Sequence, residues 1–171
     1  METQDLVRVH TIGYTLEDVK VEFLHDLKIN VSGTNVEGKT TEIINIPRWI
    51  ADILSSEKHV KIHDKDMITE LKQAKVKEVS QGDYNLSTLE KNFFIRMKSY
   101  MKTLEKNDFD QVESMLKELV RIREGKIITL ANSSKLTTEI SNKLTVEELH
   151  FFQQLHKSTE NFKDQIFGEK R

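Results

Sequence analysis

The residues most suggestive of chemistry are Gly33-Thr34-Asn35-Val36-Glu37-Gly38-Lys39-Thr40, whose letters fit the phosphate-binding pattern G-x-x-x-x-G-K-[ST]. In that pattern backbone N–H groups and a lysine hold nucleotide phosphates. The chemistry needs a helix starting at the lysine, because a helix N-terminus supplies aligned donors and positive potential. Here Thr41-Glu42-Ile43-Ile44-Asn45-Ile46-Pro47 follows instead. That run is β-branched, and Pro47 would break a helix within two turns of its start. The strand before the loop alternates, whereas the central strand of a nucleotide-binding fold is apolar almost throughout. Asp64, after His63, is a poor magnesium ligand. A hairpin loop is therefore expected, and a small nucleotide-binding protein using Lys39 and Thr40 is the alternative.

The histidines do not assemble a site by spacing. His59 and His63 fall on one strand face about 13 Å apart, too far for one metal to bridge. His150 and His156 lie six apart on a helix, about 120° from a shared face. His10 and His25 have no partner at ligand spacing, so all six histidines are expected at or near the surface. There is no cysteine to act as nucleophile and no Gly-x-Ser-x-Gly elbow. The paired acids Glu147-Glu148 and Asp108/Asp110 are explained by helix capping and the helix dipole. The expectation is no catalytic, cofactor or metal site.

Charge excludes a further class. The net charge of -2 argues against a broad grip on nucleic acid, which relies on clustered Lys and Arg. Residues 1–66 carry -4 and residues 67–171 carry +2, so neither half is a strong DNA-binding surface. A stand-alone DNA-binding helical module remains the other alternative, with at most a weak DNA contact. No run approaches the roughly 18 apolar residues of a membrane span, and the acidic, polar start does not read as a secretory signal.

The elements that would position these residues change type along the chain. Val19-Lys20-Val21-Glu22-Phe23, Leu27-Lys28-Ile29-Asn30-Val31 and His59-Val60-Lys61-Ile62-His63 alternate as strands do. Residues 33–38 are turn-rich and residues 41–46 read as another strand. Pro47 suits the first turn of a short helix carrying Trp49, Ile50, Ile53 and Leu54 inward. Residues 6–14 are ambiguous between helix and strand. From residue 67 the periodicity is helical: residues 67 to about 79, a capping box at Ser87-Thr88-Leu89-Glu90 opening a helix to about 106, and a helix capped by Asp108 with Gln111 running to about 131. A polar connection with a short helix follows, then a second box at Thr145-Val146-Glu147-Glu148 opens a helix ended by Gly168. The expected fold class is α+β: a small N-terminal β domain (residues 1–65) followed by an all-helical domain (residues 66–171), with the boundary near 64–67.

The widest apolar face belongs to the third helix of the second half. Phe109, Val112, Met115, Leu116, Leu119, Val120, Ile122, Ile127, Ile128, Leu130 and Ala131 cover about 240° of its circumference. Such a helix needs neighbours on more than one side. Either it is the centre of its own bundle, or another chain buries part of the arc. Arg123 and Lys126 fall inside the arc, so each must reach solvent or meet a carboxylate. Arg123 is expected to be partly buried and paired with an acid. The fourth helix adds Leu149, Phe151, Phe152, Leu155, Phe162 and Ile166 on one side.

Four short motifs in order resemble the GINS complex subunits. Ile46-Pro47-Arg48-Trp49-Ile50-Ala51 resembles the step closing the β domain in that family. Asn92-Phe93 resembles the start of a core helix, although Glu90-Lys91 stands where a proline is expected. Leu119-Val120-Arg121-Ile122-Arg123-Glu124-Gly125-Lys126-Ile127 is similar to its Arg-rich helix, and Leu144-Thr145-Val146-Glu147-Glu148 with Phe152 to the opening of its last helix. The β-then-helical order resembles the archaeal subunit related to the eukaryotic Psf-two and Psf-three proteins. The resemblance implies a non-enzymatic replication subunit that joins a helical-first sister in a hetero-tetramer and links the MCM helicase to a RecJ- or Cdc-type protein. It implies a cytoplasmic, nucleoid-associated setting in a prokaryote or a nuclear one in a eukaryote. The expected subunit interface comprises Leu119, Ile122, Arg123, Lys126, Ile127, Leu130 and Phe152.

Overall fold

The computed structural model of the chain describes residues 3–63 and 66–168. Two compact units are present: Arg8–Asp66, and Met67–Arg171 grouped with Met1–Val7. The architecture is α+β, with a small β region ahead of a helical one. Asp64 and Lys65, where the boundary was expected, lie outside the described residues.

In the first unit β1 (Asp18–Phe23) buries Val19, Val21 and Phe23 and exposes Asp18 and Lys20, the period-2 alternation that pins a half-buried strand in register. It is the centre of an antiparallel sheet, flanked by β4 (Ile43–Pro47) and β5 (Val60–Ile62). Val19 stands opposite Ile46, and Val21 opposite both Ile44 and Ile62. The other two strands, β2 (Leu27–Val31) and β3 (Thr34–Gly38), form a separate hairpin. Ser32 and Gly33 turn it with φ of 51° and 86°, the positive pair that a tight hairpin twist requires. The Gly33 N–H donates to Asn30 Oδ1.

The turn-rich reading of residues 33–38 is thus corrected. The turn ends at Gly33, and the rest of the stretch is strand. No helix begins at Lys39. Its N–H donates to the Glu42 carboxylate, while the Thr40 N–H and hydroxyl both donate to Asp26. Carboxylates occupy the donors that a phosphate would need. Gly38 has a packing reason instead, because the Phe23 ring lies where a Cβ would stand.

Pro47 serves as the N-cap residue of α2 (Arg48–Ser56), one position before the first turn. The buried face of α2 is Arg48, Ile50, Ala51 and Leu54, with Trp49 half-buried. Ile53 was expected inside and is exposed, because it lies off the row that meets the sheet. The core here joins Val19, Val21, Phe23, Val36, Ile46, Ile50 and Val60. The ambiguous N-terminal stretch is helical, forming α1 (Thr3–Leu16).

The second unit contains α3 (Met67–Ser80), α4 (Phe93–Met101), α5 (Lys106–Ser133), α6 (Thr138–Lys143) and α7 (Val146–Phe167). Two expected starts are corrected. Ser87 does not open a helix; α4 begins at Phe93, since Ser87 is drawn into a buried polar cluster described below. The long α5 begins at Lys106, which leaves Asp108 inside its first turn, where a carboxylate still suits the helix dipole. Two expectations hold at α7. Thr145 and Glu148 form the reciprocal capping box, and Gly168 with φ 77° ends the helix.

Candidate subunit interface

Arg123 sits on α5 four residues from both Leu119 and Ile127, and the helical period carries all three into the core. Its side chain is 0 % exposed. A guanidinium so placed must satisfy five N–H donors. Its Nε donates to Glu148 Oε1 at 2.6 Å, and one terminal nitrogen to Glu148 Oε2 at 2.8 Å and the Lys143 carbonyl at 3.0 Å. The other donates to Glu78 Oε2 and to the Ser87 carbonyl. Lys126, one turn on, gives its three protons to Glu78 Oε1 at 2.7 Å and the carbonyls of Glu78 and Asn85. The Glu78 carboxylate also accepts from the Ser87 N–H and hydroxyl.

Two cations and two carboxylates therefore close a formally neutral cluster that ties α3, α5 and α7 to the segment between α3 and α4. Burial, the largest single influence on Glu78, pushes its carboxyl up. Lys126, Ser87 and Arg123 together outweigh it and hold the carboxyl below its ordinary value. Burial disfavours the charged form of Arg123, but Glu148 and Glu78 hold it charged more firmly than in water. Arg123 was expected to be partly buried and paired with an acid; it is paired, with two acids of its own chain, and it is buried completely.

Sequence reasoning missed Glu78 and Glu148 as those partners. Their signals were present. Glu78 continues the buried row Met67, Leu71, Ala74 on α3, a charge on an apolar face that demands a counter-ion. Capping and the helix dipole, the roles expected of Glu148, are only part of what it does. Its Oε2 accepts both the Thr145 N–H and Arg123, so one side chain closes the helix start and the ion cluster together.

The seven expected interface residues divide. Leu119, Arg123, Lys126, Ile127 and Phe152 are buried by their own chain, so these side chains have almost no surface left to lose to a sister subunit. Ile122 and Leu130 are half-buried and retain some. The wide apolar arc of α5 is covered over part of its girth by the helical unit itself. Val120 and Ile128 stay 41 % and 37 % exposed. Other large apolar side chains open to solvent in this unit are Val76 and Val79 on α3, Tyr84 after it, and Phe162, Ile166 and Phe167 at the end of α7.

Beside the ion cluster, which shares Glu148 with it, α4, α5 and α7 line an open groove of about 350 Å³. Phe94, Val120, Ile127 and Phe151 form its apolar lining, with Glu124, Glu147 and Glu148 beside them. Elsewhere, His25 Nε2 and His59 Nδ1 come within 2.6 Å, a pairing that sequence spacing did not suggest. Among the described residues no group of three or more His, Cys, Asp or Glu could hold a metal ion, and no helix is long and apolar enough to cross a membrane.

No curated protein matches the chain. The family model for Sld5, the GINS complex protein helical bundle domain, matches residues 64–167, which take in all five helices from α3 to α7. With well over half of its length matched across that bundle, the chain belongs to the GINS complex protein family.

Proposed function

We propose that the chain is a non-enzymatic structural subunit of the GINS complex in DNA replication, of the β-first kind related to Psf-two and Psf-three. In this reading it assembles with a helical-first sister subunit into a hetero-tetramer. The tetramer links the MCM helicase to a RecJ- or Cdc-type protein. The match of residues 64–167 to the GINS helical bundle carries the reading. The β-then-helical order fits it, and so do the apolar side chains left open on α3, α5 and α7. Isolated exposed apolar residues are ordinary, but helical faces in an assembling family have a use for them. Interface residues are then sought at Ile122, Leu130, Val120 and Ile128 ahead of the buried Leu119 and Phe152.

The test is co-expression with GINS subunits of the same cell, followed by mass measurement of the purified assembly. A hetero-oligomer with fixed stoichiometry is expected. A chain that stays monomeric and ignores every sister subunit would overturn the reading.

A further inference from the structure

The groove between α4, α5 and α7 has an apolar floor and a one-signed rim. Phe94, Val120, Ile127 and Phe151 give the floor, and among the described residues its charged lining is Glu124, Glu147 and Glu148. These acids are not equivalent. Glu148 is engaged by the Arg123 guanidinium. Glu147 lies in the first turn of α7, where the positive end of the helix dipole offsets a carboxylate. Glu124 is exposed in the middle of α5, where no helix end helps it. The mouth of the groove is therefore negative beside a greasy floor.

We propose that this groove receives an amphipathic segment of another protein, one that presents a large apolar side chain with a lysine or arginine about one turn away. The volume of 350 Å³ lies at the small end of the roughly 300–1,000 Å³ range of ligand pockets, so it takes an anchor side chain and not a whole extended ligand. A helix laid in a groove offers such an anchor together with flanking charge on one face. The sign of the rim selects the flank. An acidic neighbour to the anchor would meet Glu124 across a short, partly desolvated gap, and like charges there are costly. A second copy of this chain is disfavoured for the same reason. A two-fold axis passing through the groove would set these carboxylates against their own counterparts.

The inference goes beyond the tetramer reading and is tested separately from it: the peptide is titrated against the chain alone, where no sister subunit can cover Val120, whereas the tetramer is tested by co-expression. The probe is a helical peptide of alanine, leucine and arginine, about 18 residues so that it holds a helix alone. Two leucines stand four apart and arginines occupy the flanking turns; a twin carries glutamate for arginine. Fluorescence anisotropy with the full chain should show the arginine peptide bound at least tenfold more tightly than its twin, with the preference shrinking as salt rises. Glu124→Lys should reverse the preference. Val120→Glu should remove binding of the arginine peptide while circular dichroism shows the fold kept. Because Glu124 is exposed, its variant remains a fair test even if Val120→Glu unfolds. Equal binding of the twins, no binding of either, or an unchanged preference in Glu124→Lys would overturn the proposal. So would self-association of the chain that Glu124→Lys disrupts, because the occupant would then be a second copy.

Discussion

Among the described residues of the β unit the one charged side chain that is buried, Arg48, lies with its guanidinium carbon 4.4 Å from the centre of the Tyr14 ring, a cation held against an aromatic face. In the helical unit Glu78, Arg123, Lys126 and Glu148 are all buried, and with them Ser87 and Thr145. One core is specified by the alternation of Val, Ile and Phe along strands. The other is specified by charges that each have one arrangement in which every donor is met. A buried ion cluster is weak evidence for extra stability, because desolvation consumes much of the Coulomb gain. The cluster instead favours one arrangement, because its donors and acceptors are all met when α3, α5 and α7 bring Glu78 and Glu148 to Arg123. The two units should therefore fail in different ways when perturbed.

The strongest break is Arg123→Ala. It leaves the buried Glu148 without its cation and takes from Glu78 one of its two, and should cost about 3–5 kcal/mol, the usual penalty for removing one partner of a buried pair. Arg123→Lys should recover little, since a point charge cannot reach both carboxylates and both carbonyls as the fork does. Trp49, the only tryptophan, lies in the β unit and gives that unit its own signal. In urea the helical circular dichroism transition should move to lower denaturant while the Trp49 fluorescence transition stays. Joint movement of the two would show that the units do not fail separately.

Acid should act on the same cluster. Glu78 has its carboxyl held below its ordinary value of 4.5. A depressed carboxyl contributes stability that is complete above that ordinary value and is lost as pH falls through the lower folded one. Arg123 stays charged throughout, so it adds no slope in this range. The helical transition should lose stability below about pH 4.5 more steeply than the β transition. Glu78→Gln should flatten that slope even as it lowers stability near neutral pH. An unchanged slope would remove Glu78 from the account.

Gly38→Ala is the matching break in the β unit, and a smaller one. The added methyl would meet the Phe23 ring inside the core, and overpacking of this kind costs about 1–3 kcal/mol. Here the Trp49 transition should shift and the helical one should not. Nucleotide binding gives no competing reason for a glycine at this position, because the Lys39 and Thr40 donors already face carboxylates.

What could be read from sequence follows the same division. The strands of the β unit were legible because their pattern is local: Val19, Val21 and Phe23 alternate with polar neighbours, and burial follows that alternation. The hairpin turn was placed too broadly, since a run containing two glycines does not say which one turns the chain. In the helical unit the need of Arg123 for an acid was legible from its place inside an apolar arc. Its partners were not, because they lie 45 and 25 residues away in sequence. The two capping boxes make the limit plain. Ser87-Thr88-Leu89-Glu90 and Thr145-Val146-Glu147-Glu148 have the same local grammar, yet only the second opens a helix. Ser87 donates its N–H and hydroxyl to Glu78 and its carbonyl accepts from Arg123, so a distant partner overrides the local motif.

The smallest predicted effect tests whether the surviving box belongs to its helix or to the cluster. Thr145→Val keeps the buried shape and removes the oxygen that accepts the Glu148 N–H at 3.3 Å. Loss of an N-cap acceptor costs about 1 kcal/mol. Thr145→Ser, which keeps the oxygen, should cost less. A cap that served only α7 would show that cost whatever Glu78 carries. Glu148, however, closes the box with the same oxygen that Arg123 holds. Removing the cap frees the first turn of α7 and with it the aim of Glu148 at the guanidinium. In a double-mutant cycle with Glu78→Gln, the two changes should then couple by about 0.5 kcal/mol or more, as residues in one network do. Simple additivity would mean that the cap and the ion cluster are neighbours without being one device, and the contrast between the two cores would rest on Arg123 alone.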